Sequence, residues 1–108
     1  MPWLDHLAVS AEGLAEGVQH IERLLGVPMA GGGQHGAMGT HNRLLSLGDL
    51  YLEVIAVDPD APAPGRPRWF DLDRFSGPPR LTNWIVATDR LDADLAKGPA
   101  GWGRRRAA

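Results

Sequence analysis

Residues 50–57 read LYLEVIAV, an apolar run broken only by Glu53. A strand with one wet face alternates apolar and polar side chains. This one does not, so it is predicted to lie centrally in a sheet, covered on both faces. The segment also poses a chemical problem. An ionised carboxylate buried alone costs several kcal/mol, so Glu53 needs a cation, a hydrogen-bond donor or a proton beside it.

The other elements follow from periodicity. Trp3 to Val9 reads as a strand, with Leu4, His6 and Ala8 on one face and Asp5, Leu7 and Val9 on the other. Ser10 stands where a helix N-cap belongs, with Glu12 in the first turn. Leu14, Val18, Ile21 and Leu25 then form one apolar stripe of a helix. Gly26 is the expected C-cap and Pro28 prevents continuation. A glycine-rich loop, AGGGQHGAMGT, spans residues 30–40, and a further short strand is sought in 27–34. Asn42 to Leu47 is a short strand, and Gly48-Asp49 a tight turn into the 50–57 strand. Four prolines in residues 58–67 make a stiff, extended connector. Leu81 to Thr88 is another strand, Asp89 to Lys97 starts a helix, and Gly98 to Ala108 is an aperiodic tail. The order is β–α–loop–β–β, a connector, then β–α: an α+β chain. LDHLAVSAEGL and TNWIVATDRL repeat one strand–cap–helix unit, the second copy cut short.

Bulk properties exclude several classes of function. The chain of 108 residues suffices for one compact domain. A net charge of −2 gives no electrostatic reason to expect nucleic acid or an anionic membrane as partner. No cysteine is present, so any metal is left to His and carboxylate. No export signal and no apolar run long enough to span a bilayer occur, and a cytoplasmic location is expected.

His6 and Glu53 are the first candidate pair. If their strands are neighbours, imidazole and carboxylate face one side and offer two of the three protein ligands that a catalytic divalent site usually needs. The plainer alternative is a structural Glu53, paired with Arg43 or with backbone, and a half-exposed His6. His41 and Asn42 open the next strand and could reach a ligand at the pocket rim, with His41 as a third nitrogen ligand, or form a turn-edge hydrogen-bonding pair. Gly31-x-Gly33-x-x-Gly36 formally matches a dinucleotide fingerprint. It follows a helix and leads into a strand, the wrong context for cradling phosphate, and is rejected as such a site. The loop that carries His35 and Met38 is read as a surface loop or a rim. Trp69, Phe70 and Trp84 could wall an apolar pocket, with Trp84 better read as plugging the core or an interface. Arg66 and Arg68 could hold a substrate carboxylate but are better read as solvated loop arginines, Arg104 to Arg106 form a solvated tail, and His20 has no role.

LDHLAVSAEGL, GVPMAGGGQHGAMGTHNRLLSLGD and YLEVIAVDPDAPAP together resemble the glyoxalase-like domain proteins of the vicinal oxygen chelate superfamily, from about Trp3 to Leu95. The resemblance implies a βαβββ module, a mixed curved sheet with helices on one face, and a truncated second module. Residues 1–80 would be the first module with its proline-rich connector, and 81–108 the start of the second with a tail. It further implies His6 and Glu53 as ligands of a divalent metal ion (Zn, Ni, Mn or Fe). His41, Asn42, Trp69 and Phe70 would then face a small-molecule ligand. The chemistry implied is that of a metal-dependent lyase, isomerase or dioxygenase acting on a small oxygenated substrate. A non-catalytic, drug-sequestering protein and an inactive half-protein are the alternatives. The chain departs from the pattern in two ways. Asn83 or Trp84 stands where the second module would place a ligand His, and the chain ends before that module's last carboxylate. A homodimer that completes the cup is therefore expected.

Overall fold

The computed structural model describes residues 2–89. Among the described residues are five strands and one α-helix: β1 (Trp3–Ser10), α1 (Leu14–Leu25), β2 (Gln34–His35), β3 (Thr40–Ser46), β4 (Tyr51–Val57) and β5 (Arg80–Ala87). Short 3₁₀ segments occupy Gly36–Met38 and Trp69–Arg74. The strands form one mixed sheet in the order β2-β3-β4-β1-β5. The predicted α+β architecture of βαβββ kind is thus the observed one, with α1 as its one main helix. The expected helix at 89–97 and the tail at 98–108 lie outside the described residues.

β4 is central, as its apolar run requires. Val54, Ile55 and Ala56 are fully buried. It pairs in parallel with β1, placing Tyr51 opposite His6 and Glu53 opposite Ala8. A parallel pair needs a crossover, and the stretch from α1 through β3 supplies it. β3 runs antiparallel to β4, with Asn42 opposite Ile55 and Leu44 opposite Glu53. β5 runs antiparallel to β1, with Asn83 opposite Ala8.

Alternation along these strands sorts side chains to two faces. One face carries Val9, Leu52 and Val54, which pack with Val18 and Ile21 of α1 and with Ala11 and Met29. The helix lies close against it: a Cβ at Gly17 would come within 2.5 Å of Val54 Cγ1 and 2.8 Å of Ala11 Cβ. The opposite face carries His6, Ala8, Asn42, Glu53 and Ile55. The connector after β4 crosses toward it, setting Trp69 edge-on against His35 at 5.2 Å.

Several expectations are corrected. Ser10 does not cap the helix; it is the last residue of β1, and its hydroxyl hydrogen-bonds Thr82 Oγ1 at 2.6 Å. The N-cap is Gly13, without a side-chain cap. The strand runs on because Ala11 N–H still reaches Ile55 O at 3.0 Å. Gly26 does close the helix in the left-handed conformation, φ 70°, donating its N–H to Glu22 O. Trp84 plugs no core of this chain: it is 70% exposed on β5, an edge strand. The exposed apolar surface of the sheet gathers on β1 and β5, at Trp3, Leu4, Leu81 and Trp84. Among the described residues no helix is long and apolar enough to cross a membrane.

Candidate functional site

The parallel β1–β4 ladder brings His6 and Glu53 together. Both are buried, at 2% and 6% exposure. His6 Nε2 lies 3.2 Å from Glu53 Oε1. The other ring nitrogen, Nδ1, donates to Asp5 Oδ2 at 2.7 Å. Simple alternation would point Asp5 away, but the β1–β5 register shifts between Leu4 and His6. Such an irregularity re-aims a side chain. Tyr51, the register partner of His6, stacks on its ring with centroids 4.4 Å apart and planes 9° from parallel.

Glu53 is not paired with Arg43. The Arg43 guanidinium instead donates to the carbonyls of Ala30 and Met29, at 2.7 and 3.2 Å. The second oxygen of Glu53 accepts from Asn42 Nδ2 at 2.6 Å. The same Nδ2 lies 3.1 Å from His35 Nε2. Asn42 Oδ1 accepts the Gly33 N–H at 2.8 Å, and Asn42 N–H donates to Gly33 O at 2.9 Å. The glycine loop is therefore a clamp on Asn42. Gly32 is pressed so closely that a Cβ there would fall 1.9 Å from Asn42 O.

The structure thus brings His6, Glu53 and Asn42 into one network and adds Asp5, His35 and Tyr51. It does not add His41. β3 alternation puts His41 opposite Ala56, on the same face as Val54 and α1. Its Nε2 is buried without a partner among the described residues, as is Thr40 Oγ1 on the Asn42 face. Trp69, 37% exposed, meets the network edge-on at His35. Phe70 and Asp71 both adopt left-handed backbone, φ 58°. Arg68 donates to Gly39 O at 3.2 Å and pairs with Asp73. An open groove of about 550 Å³ follows residues 63–74 and is not lined by His6, Asn42 or Glu53.

Two opposed effects set the charge of the pair. Burial disfavours the charged form of both groups. For His6 the hydrogen bonds to Glu53 and Asp5 outweigh it, and the pKa is raised. For Glu53 the hydrogen bonds from His6 and Asn42 outweigh it, and the pKa is lowered. Both shifts favour the charged forms, imidazolium for His6 and carboxylate for Glu53. The two shifts act on stability in opposite pH directions. The contribution of Glu53 is present above the ordinary carboxylate range and is lost as pH falls through its lowered value. That of His6 is full below the ordinary histidine value, about 6.5, and is lost as pH rises through its raised value. The melting-temperature gap between wild type and Glu53→Gln should therefore peak at about pH 5–6.5 and shrink toward pH 9. A gap that stays flat from about pH 4 to 9 is the result that contradicts a charged pair.

The donor set can also be tested against a divalent ion. Two adjacent ligands bound at about 2.1 Å each place their donor atoms roughly 3.0–3.4 Å apart. The 3.2 Å between His6 Nε2 and Glu53 Oε1 falls in that range. Asp5 on Nδ1 is the kind of partner that orients a ligating imidazole. The pair fits two positions. Among the described residues no group of three His, Cys, Asp or Glu is placed to hold an ion.

The family model described as Glyoxalase-like domain matches residues 4–107. No curated protein matches the chain. Among solved structures, a hypothetical protein from Bacillus halodurans C-125 is similar, with TM-score 0.62 and 12% identity over 89% of this chain and 65% of that one. Also similar is a variant Streptomyces coelicolor methylmalonyl-CoA epimerase, in complex with 2-nitronate-propionyl-CoA. Its TM-score is 0.58, with 17% identity over 87% of this chain and 67% of that one. The methylmalonyl-CoA epimerase from Mycobacterium tuberculosis gives 0.60 and 17%, over 87% and 62%. At these identities the likeness is one of fold. The chain spans about two thirds of the length of these structures.

Proposed function

The chain belongs to the glyoxalase-like domain family, and from that premise we propose that it binds a small oxygenated molecule at the His6–Glu53 face and acts on it as a metal-dependent lyase, isomerase or dioxygenase. The observation that carries this reading is the buried His6–Glu53 pair, whose facing donor atoms stand 3.2 Å apart. His6 Nε2 and Glu53 Oε1 would hold a divalent ion (Zn, Ni, Mn or Fe). Such an ion supplies Lewis-acid polarisation of a substrate oxygen. Asp5 holds the His6 ring by Nδ1 and fixes which nitrogen faces the site. Asn42 holds the outer oxygen of Glu53 and leaves the inner one to work. Acyl thioesters of the kind for which the similar epimerases are named belong to the substrate class considered. On this reading residues 1–80 form one module and β5 opens a second. A second copy in a homodimer would contribute the remaining ligand.

Titration of purified protein with Zn²⁺, Ni²⁺, Mn²⁺ and Fe²⁺ tests the proposal. At a free ion concentration about 100 times Kd, stability should rise by about 2.7 kcal/mol, and this should vanish in His6→Ala and Glu53→Gln. A melting temperature indifferent to all four ions ends the reading. The second reading, a protein that sequesters its ligand without turnover, draws on Trp69, half-covered beside His35. It expects tryptophan quenching by aromatic ligands with no product formed.

A further inference from the structure

His35 lies on β2, outside the motifs that mark the pair, yet it closes the hydrogen-bonded chain. We propose that His35 is a positioning residue: as a neutral imidazole protonated on Nδ1, it locks the Asn42 carboxamide and through it the Glu53 carboxylate. The effect on cation binding rests on the function proposed above; the positioning itself does not.

A backbone donor fixes which way the Asn42 carboxamide faces. Gly33 N–H is a backbone donor, so the Asn42 atom 2.8 Å away must be the oxygen. Nδ2 therefore faces the other way, with two hydrogens to place. One goes to Glu53 Oε2 at 2.6 Å. The other points to His35 Nε2 at 3.1 Å. A nitrogen that accepts must carry its lone pair, so Nε2 is bare and the proton sits on Nδ1. A proton on Nε2 would set N–H against N–H. Trp69, edge-on at 5.2 Å, also packs against the ring. The carboxamide is left with neither a free hydrogen nor a second orientation. Asn42 consequently has no donor to offer a ligand: its role is to hold Glu53.

Without His35 one Nδ2 hydrogen in a largely buried site loses its acceptor. Asn42 gains a reason to rotate, and the Glu53 carboxylate loses the partner that fixes its outer oxygen. Groups that orient a metal ligand in this way change metal affinity by about 10- to 100-fold when removed.

Two measurements on the full chain decide the matter. The first needs no metal. Long-range ¹⁵N–¹H correlation at about pH 7.5 should show His35 as the Nδ1–H tautomer, and the Asn42 side-chain amide should exchange slowly. That protection should survive in His35→Gln, whose carbonyl can accept in place of Nε2, and fall in His35→Leu. The second is Zn²⁺ affinity, expected to drop about tenfold or more in His35→Leu and to stay within about threefold of wild type in His35→Gln. A protonated Nε2 in the wild type overturns the proposal. So does a His35→Leu protein with the Asn42 amide still protected. If wild type binds no Zn²⁺ while the tautomer and protection are as expected, the metal reading fails and the positioning role stands.

Discussion

Glu53→Ala is expected to destabilise the chain by about 3 kcal/mol or more, because removing one partner of a buried ion pair leaves the other without compensation. In a domain of this size that corresponds to a fall of roughly 15 °C in melting temperature. The magnitude follows from what remains. His6 keeps Asp5 but loses the partner on Nε2, and Asn42 loses its acceptor for one Nδ2 hydrogen. Neither can turn to water, since His6 is 2% and Asn42 8% exposed. Glu53→Gln should behave differently. Its carbonyl can accept from Asn42, and its NH₂ can donate to a neutral His6 that keeps Nδ1–H on Asp5. All partners are then satisfied without charge, and at about pH 8 the cost should be about 1 kcal/mol or less. The same variant should lose divalent-ion binding completely. Thermal melts of both variants at two pH values check the pair. If Glu53→Ala melts within a few degrees of wild type, the carboxylate is not the hub of a buried network.

Gly32→Ala should cost about 3 kcal/mol, against a change within about 0.5 kcal/mol for Gly31→Ala one residue earlier. A Cβ at Gly32 would stand 1.9 Å from the Asn42 carbonyl oxygen and 2.6 Å from Oδ1. The first is backbone and cannot swing aside, and the second is held by the Gly33 N–H, so the loop itself must lift. Lifting breaks both Gly33–Asn42 hydrogen bonds, each worth about 1 kcal/mol, and adds the strain of the misfit. At Gly31 a Cβ would meet nothing within 4 Å. Equal melting temperatures for the two alanine variants would show that the loop does not press on Asn42.

These outcomes separate what is written locally from what is not. The burial of β4 was legible because period and composition alone demand it. The closure of α1 at Gly26 was legible because glycine, with no Cβ, takes φ 70° without strain. That Glu53 needed a partner was legible from the cost of a bare carboxylate. Its partner was not: His6 and Glu53 meet through a parallel ladder, and no local pattern says which strands are neighbours. His41 and Asn42 looked equivalent as adjacent polar residues, and only the register of β3 divides them between faces. The two-residue β2 is too short to carry a period, so His35 gave no signal. The glycine loop reads only as a surface loop or a rim, because a close approach of one backbone to another leaves no trace in composition. Ser10 had the chemistry of a helix cap. Continued pairing of β1 took it instead.

β1 is an interior strand both of whose neighbours come later in the chain. Ser10 pairs with Ile55 on one side and Arg80 on the other, and Trp3 with Ala87. Emerging from the ribosome, this first strand has nothing to bond until β4 is made, and one edge stays open until β5 follows. Loops this long are slow to close, and sheets built from distant pairings fold slowly. The stretch that carries His6 is therefore made before either of its partner strands, and during synthesis its edges stay unpaired until both have followed.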